Sequence, residues 1–248
     1  MGSNTAFELK GINHLALVCS DMARTVEPDP SRVARMTRTR QIPRRDAPES
    51  VVPIYQRLFG DRDPVAEPGT ATGTPGNWWT VFAQTPELLD HMVAGFALFS
   101  SPTRELPADL RELALTRTGF AAGSQFVFSQ HCKAARRAGV TDEQVNAIPA
   151  WAVADVWSPR QRAVLAYVDE IVLGQGRVQD ATFAALTAEL SETAVIELTY
   201  AVASYQLHAT MCRALRLEFD DVDERIVEIA APAGADQDVM GTISMRSR

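Results

Sequence analysis

Cysteine and histidine are both scarce in this 248-residue chain, which has three of the first and four of the second. Cys19, Cys132 and Cys212 form no Cys-x-x-Cys pair and no zinc spacing, and they read as buried reduced thiols. His14, His91, His131 and His208 are scattered, with no two at metal-ligand spacing on one helix. No metal and no cofactor are therefore expected. No apolar run approaches the ~20 residues that a membrane span needs. Leu15 to Cys19 is too short and too late for a secretory signal, so a cytoplasmic protein with no membrane partner is expected. A net charge of -7 gives no basic footprint for nucleic acid. Strand-like alternation is absent after residue 50, as is any repeat of constant spacing.

What is present is helical. Hydrophobic residues make up 46% of the chain, enough for a sizeable core. SVVPIYQRLFG reads as a short helix stopped by Gly60, and Asp61 to Asn77 as a long loop rich in Gly, Pro and Thr. Trp78, Trp79 and Phe82 open a short apolar segment; one tryptophan is expected in the core and the other, Trp79, at a pocket or subunit contact. Thr85-Pro86 reads as a cap for a helix with a broad apolar face, from which His91 points away. Thr141 to Gln144 and Ser158 to Gln161 are capping boxes. Helices are predicted at about 142–148, 159–173 and 180–190, and a long one from Ser191 to about Arg216. The acidic run FDDVDERIVE is a candidate last short helix.

The ends differ in character. In residues 1–27, FELKGINHLALVCSDMARTVE alternates like a strand and then turns helical, before Pro28-Asp29-Pro30 breaks the pattern. It resembles the start of a glyoxalase/vicinal-oxygen-chelate module, in which the histidine matching His14 is a metal ligand. The remaining strands and ligands are missing, so a fragment without a metal site is expected. Residues 28–50 carry Arg32, Arg35, Arg38, Arg40, Arg44 and Arg45 with four prolines and read as a loosely attached basic linker. Met36 suggests a second start, with residues 1–35 an extension or fusion scar. The helical domain spans 51–228, and 229–248 reads as a flexible tail.

The centre of the chain is Glu112 to Thr141, ELALTRTGFAAGSQFVFSQHCKAARRAGVT. It reads as two helices joined at Gly123-Ser124. On the first, Leu110, Leu113, Ala114, Arg117 and Ala121 form a core stripe, and Glu112, Thr116, Gly119 and Gly123 lie along the other side. A carboxylate above a strip of small residues leaves room for a close helix or a ligand. On the second, Ser124 is the N-cap, and Ser124, Val127, Phe128 and His131 share a face. His131 beside Glu112 is the best acid/base pair in the sequence.

This stretch, together with HCKAARRAGVTDEQVNAI, WSPRQRAVLAYVDEIV and ETAVIELTYAVASYQLHATMCRALRLEFD, resembles the carboxymuconolactone decarboxylase/alkylhydroperoxidase D superfamily over roughly Val51 to Phe219. The family has a glutamate on one helix and Cys-x-x-Cys-x-x-x-His on the next. Glu112 falls at the glutamate and His131 at the histidine, while Ser124 and Val127 hold the cysteine positions. The resemblance implies an all-α, alkylhydroperoxidase D-like helical bundle that forms a homo-oligomer, as do the apolar faces of 85–99 and 192–216. It also implies a small-molecule substrate. Peroxidase chemistry needs two thiols, and serine and valine cannot supply it. Decarboxylation needs none, so the expected activity is a lyase or related proton transfer on a small carboxylated lactone or acid, with His131 as proton donor and Glu112 holding its imidazole. Arg117 is the nearest candidate for the substrate carboxylate, with a structural ion pair as its alternative. Ser124, Phe128, Trp79, Tyr205 and His208 are further pocket candidates. Glu197, on the stripe of His208, is another group able to face the site. A non-catalytic helical scaffold remains the other reading.

Overall fold

In the computed structural model, residues 37–99, 101–220 and 226–232 are described. The fragment with His14 and Cys19, and the Met36 start, lie outside them. Nine α-helices and no strand occur among the described residues: α1 (Val52–Phe59), α2 (Asn77–Phe82), α3 (Pro86–Leu98), α4 (Ala108–Ala121), α5 (Gln125–Arg137), α6 (Asp142–Ala147), α7 (Pro159–Val172), α8 (Asp180–Thr187) and α9 (Glu192–Leu215). A 3₁₀ helix, Ile148–Val153, follows α6 directly.

The boundaries follow from capping. Ser124, Thr141, Ser158 and Ser191 each accept a hydrogen bond from the backbone N–H three residues on, and the boxes at Thr141 and Ser158 are both complete. Thr85 is different: its hydroxyl donates back to Phe82 O and leaves α3 without a side-chain cap. α4 ends at Gly123, whose φ of +70° sets up a Schellman closure. Ser124 N donates to Gly119 O at 2.9 Å and Gly123 N to Phe120 O at 3.0 Å. The same two residues that end α4 thus start α5, which folds back against it.

α4 is the axis of the domain. Every residue from Glu112 to Gly119 is buried, so the expected division into a core stripe and an open side gives way to enclosure by α5, α7 and α9. Leu110, Ala114, Val164, Val168 and Leu198 form the core on one side, and Leu113, Phe128, Cys132 and Ile148 on another. The strip of small residues receives α5. A Cβ added to Gly119 would meet Phe128 N at 2.5 Å, so the two backbones touch where a side chain would separate them.

Two terminal expectations change. Residues 37–50, read as a loose linker, are tied to the bundle: Arg38 N donates to Leu215 O, Ile42 N donates to Thr80 O, and the buried Tyr55 hydroxyl donates to Ile42 O. Polar composition hid one apolar anchor, Ile42, which is 5% exposed. After α9 the chain forms turns at 218–220, and the middle of the candidate last helix, 221–225, lies outside the described residues. Residues 226–232, including the first part of the expected tail, then run along α5. Gln125 pairs with Val227 through both amide groups, and Ser129 Oγ pairs with Ile229 N and O.

Candidate functional site

A cavity of about 370 Å³ opens between α2, α3, α4, α5, α9 and the loop at 70–74. Glu112 and His131 lie in its wall. His131 Nδ1 is 2.7 Å from Glu112 Oε2, and Arg111 Nε donates to Glu112 Oε1 at 3.0 Å. Both members of the pair are more than nine-tenths buried. Burial alone would raise the Glu112 pKa, but the hydrogen bond and charge of His131, reinforced by Arg111, outweigh it and hold the carboxyl below its usual range. An ionised carboxylate only accepts, so the shared proton belongs to Nδ1. That leaves Nε2 as the nitrogen His131 presents to the cavity. The ring is buttressed edge-on by Tyr205, with centroids 4.5 Å apart.

Five of the eight residues singled out from sequence line this cavity: Glu112, His131, Trp79, Tyr205 and His208. Three do not. Ser124 is fully buried as the cap of α5, donating its hydroxyl to Asp220. Phe128 packs in the core with Leu113 and Cys132, where its backbone lies against Gly119. Arg117 makes a two-point ion pair with Asp169 at 2.6 and 2.9 Å and also donates to Ile148 O. Its alternative reading is therefore the correct one: it fastens α4 to α7 and the 3₁₀ helix. Glu197 likewise accepts from Leu106 N and pairs with Arg104, away from the cavity. Trp78 joins Trp79 in the lining, because a six-residue helix buried on every side has no outer face.

Several lining residues were not legible in advance. Arg111 sits next to Glu112 in sequence, where helical spacing puts side chains on different faces; its long stem brings the guanidinium back to the carboxylate. Thr70, Thr72 and Thr74 come from the long loop. Arg137 and Gln130 lie on the cavity face of α5.

Two buried carboxylates outside the cavity support it. Glu218 accepts from Gly76 N at 2.9 Å and Trp78 N at 2.8 Å, at the start of α2. Asp220 accepts from Ser124 and from Phe126 N, at the start of α5. Burial outweighs these hydrogen bonds and pushes Glu218 up to about 7 and Asp220 up to about 6. A carboxyl whose folded pKa is raised binds more protons in the folded than in the unfolded state between the two values. Its contribution is fully present below pH 4.5 and is lost as pH rises toward 7. We expect denaturant-derived stability to fall across that window by an amount on the order of 1–3 kcal/mol attributable to Glu218. The slope should flatten in Glu218→Gln; equal slopes in the two proteins would refute the assignment.

Residues 86–170 match the carboxymuconolactone decarboxylase family. Among solved structures, a cysteine-to-alanine variant of the debrominase Bmp8 in complex with 2,3,4-tribromopyrrole is similar at 17% identity and a TM-score of 0.58, over 84% of this chain and 98% of that one. The alkylhydroperoxidase AhpD core of an uncharacterized peroxidase-related protein from Ralstonia eutropha JMP134 is similar at 19% identity and a TM-score of 0.54, over 72% and 93%. No curated protein matches the sequence. At these identities the structural likeness is one of fold. The family match thus lies within the helical domain, whose fold is like that of AhpD-like helical proteins.

Proposed function

We propose that the protein is a carboxy-lyase or related proton-transfer enzyme acting on a small carboxylated lactone or acid, with His131 as proton donor and Glu112 as the residue that orients it. The observation that carries this reading is the 2.7 Å contact between His131 Nδ1 and an ionised Glu112 in the wall of a cavity. In the reaction, the bond to the leaving carboxylate breaks and its electron pair moves into the conjugated carbonyl as a dienolate. The Nε2–H of a His131 imidazolium then protonates the carbon, leaving a neutral ring with its proton on Nδ1. Glu112 accepts from Nδ1–H throughout and so fixes the tautomer that remains after the transfer. The test is CO2 release from 4-carboxymuconolactone by the wild type and by His131→Ala. Turnover is expected only in the wild type; turnover that survives the substitution would refute the site.

Cysteine peroxidase chemistry is the weaker alternative. Ser124 and Val127 occupy the cysteine positions, and burial pushes the Cys132 and Cys212 thiols up, away from thiolate. The other alternative, a scaffold, would use the bundle only for assembly.

We also propose that α9 carries the assembly surface. Ile196, Tyr200 and Leu207 are 69%, 51% and 63% exposed. With Thr193, Ala203, Thr210 and Ala214 they form an uncharged seam at alternating three- and four-residue spacing, the pattern of a helix that packs on another. Its partner is a second copy of the chain. Sedimentation velocity should show an oligomer that dissociates in Leu207→Glu; a wild-type monomer would refute it.

A further inference from the structure

Residues lining the cavity carry buried nitrogens without a hydrogen-bond partner. His208 is 6% exposed, and its Nδ1 is buried without a hydrogen-bond partner. It stands instead among the rings of Trp78, Phe96, Phe126 and Tyr205, with centroids 5.1 to 5.9 Å away. Gln130 Nε2 is buried without a partner, and Arg137 is an exposed arginine on the same helix. All three line the cavity. Buried polar groups are nearly always satisfied, so an orphan imidazole inside an aromatic box marks a place where a bound molecule completes the bonding.

Their order along α5 gives the cavity a direction. Phe126, Gln130, His131, Ala134 and Arg137 line it in sequence. Phe126 is the residue beside His208, and Arg137 is eleven positions further on, about 16 Å along the axis. Helical side chains lean toward the N-terminus, which brings the Arg137 guanidinium back over the preceding turn. One end of the cavity is therefore aromatic with a single imidazole, the other is cationic, and His131 sits between them. Burial, with a smaller effect from the charge of His131, lowers the His208 pKa to about 3. The ring is neutral at working pH and can donate or accept one hydrogen bond.

Resting on the reading of this cavity as a substrate site, we propose that it selects small planar aromatic or conjugated carboxylic acids bearing a polar group on the edge remote from the carboxylate. The carboxylate meets Arg137 and Gln130, the ring lies in the aromatic box, and the remote hydroxyl or carbonyl bonds to His208. A bound acid so aligned places its middle beside His131 Nε2. Acids with a bare remote edge leave His208 unsatisfied and bind more weakly.

The experiment is titration calorimetry with 4-hydroxybenzoate and benzoate. The wild type should bind 4-hydroxybenzoate about tenfold more tightly than benzoate, the value of one hydrogen bond to a buried group. His208→Phe keeps an aromatic ring in the box and should abolish that preference while retaining benzoate affinity, which also reports that the variant is folded. Arg137→Met should weaken both acids by a similar factor. No binding of either acid by the wild type, or an unchanged preference in His208→Phe, would overturn the proposal. The readout needs no turnover. Selective binding without CO2 release would sink the proton-transfer reading alone, and lactone turnover without selectivity would sink this one alone.

Discussion

Glu112→Gln is expected to fold normally and to lose about 10²- to 10⁴-fold in the rate of CO2 release, the range associated with a positioned acid or base. Glutamine has the same shape and can still meet His131 and Arg111. What it lacks is charge. Without the carboxylate, Nδ1–H loses its acceptor, and an amide NH2 turned toward Nδ1 would donate to it, so the ring could no longer give up its Nε2 proton and remain neutral. The loss should appear in kcat more than in KM, because the interaction acts in the proton-transfer step. Glu112→Gln and His131→Ala should not add when combined, since the carboxylate acts only through the imidazole. A Gln variant with wild-type kcat would show that the pair is structural, in line with the scaffold reading.

The second large effect is expected at Gly119. Substitution to alanine places a methyl group 2.5 Å from Phe128 N and 2.8 Å from its Cα, and both are backbone atoms that cannot rotate away. α5 must move out or α4 must bend. Alanine's better helix propensity offsets about 1 kcal/mol, and overpacking costs about 1–3 kcal/mol or more. We expect a net loss of roughly 2 kcal/mol, read as a fall in Tm of about 4–8 °C for a domain of this size. Gly95→Ala is the control. Gly95 is also inside a helix, but its added Cβ meets nothing within 4 Å, so stability should rise by about 0.5–1 kcal/mol. Because Gly119 sets the distance between the helices that carry Glu112 and His131, Gly119→Ala should also slow turnover. A Gly119→Ala protein as stable as Gly95→Ala would refute the close contact.

Helix boundaries were legible because capping chemistry is local: a serine or threonine accepts from a backbone N–H three residues away whatever the rest of the chain does. Ser124, Thr141, Ser158 and Ser191 all behave so. The pairing of Glu112 with His131 was legible as a possibility, because spacing placed each on a helix next to the other across the Gly123-Ser124 joint.

Only the tertiary structure decided which side of each helix faces the cavity. Phe128 and His131 are three residues apart and were read as one face, yet Phe128 turns into the core and His131 to the cavity, since α5 lies directly on Gly119 and splits that face. Arg117 and Arg111 are both one residue type on one helix. Arg117 is taken by Asp169, a residue 52 positions away, and Arg111 reaches its sequence neighbour through a flexible stem. No local rule distinguishes them. The same holds for Glu218 and Asp220, which an acidic run suggests are solvated. They are buried because their partners, the unpaired N–H groups starting α2 and α5, are brought to them from more than 90 residues away. The sequence by itself determined the helices and their capped ends, because those depend on contacts within a few residues. The fold alone decided the lining of the cavity and the role of each arginine and buried acid, because those depend on which distant elements share a face.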